Sequence, residues 1–160
     1  MAGAQLRKPP LRVHVETSVF GGIFEDEQTE HCARLFRLGA HGHFALMTSE
    51  VVEEELMDSP ARVQRYFLGI KDDLVYLNLS NEAVQLFLGY RQLGIVPVRF
   101  MPDAMHVALA TIASCDLVAT LNMKHLARRD QIESFNSYNQ LRGYNSIDIR
   151  PPEFLVYGNE

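Results

Sequence analysis

Short apolar, strand-like runs alternate with helical stretches along this chain, and that alternation constrains its fold more than any other feature. Residues 11–16, LRVHVE, read as a buried strand ending on a carboxylate, Glu16. Residues 27–40 read as a helix, with Cys32, Leu35, Phe36 and Leu38 among its apolar positions. HFALMTS is a second strand ending in a turn at Thr48 and Ser49, and Ser49 can cap the helix that follows. Residues 60–70 read as helix, DLVYLNLS as strand and 81–93 as helix. MPDAMHVALATIASC is a strongly apolar helix, and DLVATLN is a strand. A helical stretch near 124–140 leads to SIDIR, a last strand before Pro151 and Pro152. Strands separated by helices in this way specify an α/β domain with a mostly parallel central sheet flanked by helices.

The chain has 160 residues, the size of one domain, and shows no internal repeat or linker. The expected division is a short tail at 1–10, one domain over 11–156 and a second tail at 157–160. No apolar run approaches the ~18 residues that span a bilayer, so no membrane association is expected. The opening MAGAQLRKPP lacks the apolar region of a secretory signal. Cys32 and Cys115 form no metal-type pair and suggest no disulfide framework, which fits a reduced, cytoplasmic setting.

In parallel α/β sheets, ligands gather at the carboxyl ends of the strands. Glu16, Ser49 and Asn122 all sit at or just after such ends. In SEVVEEELM, Glu55 follows Val51 by four residues and Val52 by three, which places it on the inward face of a helix. Glu53 and Glu54 fall about 200° from Val51 and Val52 at ~100° per residue and face solvent. Glu55 is therefore either an inward carboxylate that needs a partner or the edge of a surface helix. Asp103 sits in the first turn of the apolar helix, where an acid suits the helix dipole. His106 lies one turn on, as a core residue or as a hydrogen-bond partner of a site carboxylate. Asn122 is a turn or cap residue, and its side-chain oxygen can also bind a hard cation. Asp116 begins its strand and belongs at the opposite end of the sheet. The net charge of −5 disfavours broad nucleic-acid binding but allows an acidic site with a local basic rim. Lys124, Arg128 and Arg129 fit either such a rim or a solvated helix face.

Together, VETSVFGG, TSEVVEEEL, PDAMHVALA and DLVATLNMKHL resemble, in order and spacing, the four motifs of the PIN-domain family, and most closely its VapC-type toxins. The ending LRGYNSIDIRPPEFL is similar to the tail of one PIN branch, and the resemblance spans roughly residues 11–156. It implies a single PIN-like domain and a metal-dependent nuclease acting mostly on RNA. Glu16, Glu55 and Asp103 would hold Mg²⁺ or Mn²⁺, and Asn122 would be a neutral ligand or would orient the attacking water. Thr17 or Ser18 would hold the first carboxylate or contact a phosphate. Lys124 would lie near the scissile phosphate, and His125 would support the site or touch substrate. An antitoxin partner and a homodimer are also implied. No Cys/His cluster supports zinc, and no Gly-rich phosphate loop is present. Gly21 and Gly22 are expected to turn the chain away from its strand.

Two positions depart from the family pattern. Glu16 stands where the family usually has Asp, which pushes the carboxylate out by ~1.5 Å. Asn122 and His125 stand where many members carry an acid, as they do in a related branch, leaving three carboxylates rather than four. These departures motivate an alternative reading, a degenerate, non-catalytic PIN-like module that binds RNA or a protein partner.

Overall fold

The computed structural model describes residues 8–157. Of the two expected tails, residues 1–7 and 158–160 lie outside the described residues. The strands are β1 (Leu11–Val15), β2 (Phe44–Ser49), β3 (Val75–Leu77), β4 (Leu117–Ala119) and β5 (Asp148–Arg150). The helices are α1 (Thr17–Gly22), α2 (Thr29–Ala40), α3 (Glu50–Leu56), α4 (Ala61–Ile70), α5 (Asn81–Gln92), α6 (Met101–Ile112), α7 (Arg129–Leu141) and α8 (Pro152–Tyr157). All strand pairs are parallel, in the order β3-β2-β1-β4-β5.

That order carries the functional consequence. The chain builds outward from β1 through β2 to β3, then crosses back and builds the other way through β4 and β5. β1 and β4 are neighbours whose connections leave in opposite directions, and a crevice opens at their carboxyl ends. Glu16 follows β1, and its amide donates to Ala119 O at 2.9 Å at the end of β4.

Side-chain alternation splits the core in two. Val13 and Val15 of β1, with Phe44, Leu46, Leu117 and Ala119, face a cluster built on α1, α2, α3, α4 and α8. Met47, Val118 and Ile149 face a second cluster built on α5, α6 and α7. His14 is in register with Met47 and Val118 and is fully buried on that second face. α6 packs there with almost all its length buried, from Met101 to Thr111.

The expected elements are present, with differences at their ends. DLVYLNLS gives only the three-residue edge strand β3, because the Leu79 amide donates to the Glu50 carboxylate instead of a ladder. β4 ends at Ala119; the Thr120 amide still donates to Arg150 O at 3.0 Å, but the two amides after it turn to side chains, Leu121 N to Ser18 Oγ at 2.9 Å and Asn122 N to Thr120 Oγ1 at 3.0 Å. Thr48 lies within β2 and not in a turn. The helix expected near 124 begins at Arg129, after a single turn in which Leu126 N donates to Asn122 O.

Two short helices were not expected. α8 starts after Pro151, with Pro152 in its first position, where a missing N–H costs nothing. α1 contains Gly21 and Gly22, residues that disfavour helix. The pair does not turn the chain away from β1. A Cβ on Gly22 would lie 2.6 Å from Cys32 Sγ and 2.7 Å from Leu121 Cδ1, so its lack of a side chain is what lets α1 lie against α2 and the end of β4. Both cysteines are buried and unbridged, and burial pushes both thiols up to about 12. No described helix is long and apolar enough to cross a membrane.

Candidate active site

Glu16 is the N-cap of α1 and is 5% exposed. The Ser18 amide donates to its Oε2 at 3.1 Å, the Ser18 hydroxyl donates to the same oxygen, and Thr120 Oγ1 adds a third bond at 2.9 Å. All three land on Oε2, which fixes the carboxylate and leaves Oε1 without a hydrogen bond among the described residues. Ser18 thus holds the first acid. Thr17 Oγ1 is buried without a hydrogen-bond partner among the described residues.

Ser49 caps α3, its Oγ accepting from Val52 N at 3.2 Å. That cap sets the helical phase, burying Val52 and Leu56 and leaving Glu54 exposed. Glu55 is half-buried and directed at His106 on α6, with Oε1 2.5 Å from the ring Nε2. Glu53 instead pairs with Lys71 at 2.9 Å on the outer side.

Asp103 does not cap α6. Its Oδ2 accepts from Asn122 Nδ2 at 2.7 Å, so the first turn of α6 is tied to the loop after β4. Burial raises the Asp103 carboxyl to about 6, with the charges of Glu16 and Glu55 adding to the rise and those of His106 and the Asn122 bond opposing it. Burial also pulls the His106 imidazole down. The Glu55 hydrogen bond and the charges of Glu16, Glu55 and Asp103 outweigh it and hold the ring above its ordinary value. Beneath it lies His14, its ring centroid 5.4 Å away, lowered well below its ordinary value by burial and by His106.

Glu16, Ser18, Glu55, Asp103, His106 and Asn122 therefore converge at one crevice from β1, α1, α3, α6 and the end of β4. Asp116 lies at the other end of the sheet, accepting from Arg12 N at 2.8 Å. Lys124 is exposed, and His125 stacks on Phe100. Arg128, just before α7, pairs with Asp130, and Arg129 at its start pairs with Glu133, the arrangement of a solvated face.

Carboxylate oxygens of Glu16 and Glu55 and the His106 ring offer ligand atoms within 4.8 Å of one another. Asp103 is not one of the three, yet it feels the charge of both glutamates. The carboxylate oxygens are hard donors of the kind Mg²⁺ and Mn²⁺ take, whereas the His106 imidazole, its Nε2 engaged by Glu55, is not a typical ligand for either. Burial and, after it, the charges of Glu16 and Glu55 raise Asp103, a penalty on its ionised form that a divalent cation would relieve, so the three carboxylates fit such an ion.

Sequence reasoning missed His14 and Thr120. Alternation along β1 held the signal for His14, since positions two apart share a face and Glu16 is two residues on. Thr120 stands two residues before Asn122 and is fully buried. Its hydroxyl serves both Glu16 and the Asn122 amide.

No family model and no curated protein matches the sequence. Among solved structures, the fold is similar to VapBC2 from Rickettsia felis bound to a DNA fragment from its promoter. That match has a TM-score of 0.57 and 11% identity, covering 88% of this chain and 98% of that one. DNA-bound VapBC from Salmonella typhimurium matches with a TM-score of 0.55 and 16% identity over 89% of this chain and 98% of that one. FitAcB from Neisseria gonorrhoeae gives 0.54 and 13% over 88% and 97%. At these identities the likeness is one of fold, and the chain has the PIN-like fold of VapC-type proteins.

Proposed function

We propose that this protein is a metal-dependent endoribonuclease and the toxin of a toxin–antitoxin pair. The observation that carries the reading is the convergence of Glu16, Glu55 and Asp103 at the β1/β4 crevice, where burial first and the two neighbouring glutamates second raise Asp103 to about 6. Mg²⁺ or Mn²⁺, when bound, supplies Lewis-acid stabilisation of a phosphodiester and lowers the pKa of a bound water. Glu16 is held by Ser18 and Thr120 with Oε1 free to ligate. His106 orients Glu55, and Asn122 fixes Asp103 through one oxygen. The Asn122 side-chain oxygen is left to orient a water or a phosphate. Exposed Lys124, on the same turn as Asn122, adds positive charge for the RNA backbone. The fold's likeness to VapBC complexes supports an antitoxin protein as partner; a homodimeric state and a cytoplasmic setting belong to the proposal without support from that likeness.

A second reading has a specific observation in its favour. His106 already engages Glu55, and three hydrogen bonds already engage Glu16, so the acids also form a self-contained polar network. On that view the domain binds RNA or a protein without cutting.

Calorimetry with Mn²⁺ and Mg²⁺ decides between them. The nuclease reading expects binding by the wild type, its loss in Asp103→Asn, and metal-dependent RNA cleavage that follows the same pattern. No binding at millimolar metal would sink it.

A further inference from the structure

Segments 100–103 and 122–125 are joined by two rungs. The first is the Asp103–Asn122 hydrogen bond of the acidic site. The second lies three residues outward on each side, where the rings of Phe100 and His125 stack with centroids 3.6 Å apart and planes 18° apart. Asn122 to His125 spans one helical turn, closed by the Leu126 amide on Asn122 O. Phe100 precedes Asp103 at the start of α6. The stack is thus held about one turn, ~5.4 Å, from the acids by the same two segments that carry Asp103 and Asn122.

This pair differs from the other ring contacts among the described residues. Core pairs such as Tyr90–Phe135 and Phe20–Phe67 meet edge to face, at 4.9 Å and 76° and at 5.3 Å and 78°, the usual packing of aromatic side chains. Phe100 and His125 are parallel, both are partly exposed, and the Arg99 guanidinium lies over the Phe100 ring at 4.8 Å. Arg99 and Lys124 are exposed and have no ion pair among the described residues. A flat stack flanked by unpaired cations is the equipment that single-stranded nucleic acid binds, with a base adding to the ring face and phosphates meeting the charges.

We propose that the Phe100–His125 stack is a nucleobase platform, which seats an unpaired base of the RNA on the outer face of His125 beside the phosphate to be cut. The proposal rests on the ribonuclease reading. It assigns the recognition of an unpaired base to two named side chains, because a base inside a duplex already has neighbours on both faces and cannot add to the stack. The target must be single-stranded at that position.

The test uses a short single-stranded RNA carrying one 2-aminopurine, whose fluorescence is quenched by stacking. It is titrated in EDTA so that nothing is cut. The proposal expects quenching by wild type, a loss of affinity of about 5- to 150-fold in His125→Ala, and recovery in His125→Phe, which keeps an aromatic ring and removes the imidazole nitrogens. The same oligonucleotide annealed into a duplex should not quench. Unchanged binding in His125→Ala would overturn the proposal, as would a His125→Phe variant as weak as the alanine, or no quenching by wild type. Mn²⁺ calorimetry on the same proteins keeps the two claims separate. Quenching without Mn²⁺ binding overturns the nuclease and leaves the platform, whereas Mn²⁺-dependent cleavage without quenching overturns the platform alone.

Discussion

Asp103→Asn should make the metal-free protein more stable while removing its activity. The carboxyl rises from its ordinary 3.8 to about 6, because burial and the charges of Glu16 and Glu55 disfavour its ionised form. A rise of roughly two units is worth at most about 3 kcal/mol at ~1.36 kcal/mol per unit. Partial exposure and the lost first-turn charge at the helix dipole reduce that to about 1.5 kcal/mol. Asn is isosteric, and its side-chain oxygen still accepts from Asn122 Nδ2. The sign follows from linkage. A group whose folded pKa is raised contributes stability that is fully present below its unfolded pKa and lost as pH rises through the folded value. The wild type therefore loses stability between about pH 4 and pH 6 from this residue, and the variant does not. In EDTA at pH 8 the variant should melt about 3–6 °C higher, at ~2–4 °C per kcal/mol for a domain of this size. At pH 4 the difference should close. Saturating Mn²⁺ should reverse the order, since a ligand at a hundred times its Kd adds about 2.7 kcal/mol to the wild type alone. Thermal denaturation monitored by circular dichroism in both buffers reads all three. A variant less stable than wild type in EDTA at pH 8 would refute the claim that burial and the neighbouring glutamates disfavour the ionised Asp103 carboxyl.

Glu16→Asp withdraws the first carboxylate by ~1.5 Å from Ser18 and Thr120; RNA cleavage should fall by about a hundredfold, and a rise in activity would instead favour the non-catalytic reading of the native site. Gly22→Ala brings a methyl within 2.6 Å of Cys32 Sγ and 2.7 Å of Leu121 Cδ1; urea denaturation should show a loss of about 1–3 kcal/mol. His14 is held well below its ordinary 6.5 by burial and by His106, so its share of stability is lost as pH falls below that value, and His14→Gln should flatten the fall in urea midpoint between pH 7.5 and 5.5.

The fold was legible because its signals are local. Five apolar runs and the helices between them need only period and composition, and Ser49 before a run of glutamates is a helix start on its face. Glu55 was selected by phase alone, since Val51 and Val52 fix which glutamate turns inward. The strand ends were less legible because side chains decide them. Thr120 and Ser18 take backbone amides after β4, and Glu50 takes one after β3. α1 was hidden because two glycines argue against a helix that the Glu16 cap and close packing around Gly22 impose. The Phe100–His125 stack joins residues 25 apart in sequence through tertiary structure, and neither residue announces the other.

The distribution of polar groups explains why the domain tolerates such a site. Buried hydroxyls and rings collect at one end of the sheet, where His14, Ser49, His106 and Thr120 lie under the crevice. His14 Nδ1 and His106 Nδ1 have no hydrogen-bond partner among the described residues. The opposite face of the same strands is dry, with Val13, Val15, Phe20, Leu35, Phe36, Phe44 and Phe67 in one apolar cluster. The two demands are met by alternation along a single strand: Val13 and Val15 of β1 feed that cluster, while His14 and Glu16 point to the crevice side. Shifting β1 by one residue would exchange these sets, putting a carboxylate and an imidazole into the dry core and two valines into the site. The register that the stability of the fold requires is therefore the same register that delivers the acid.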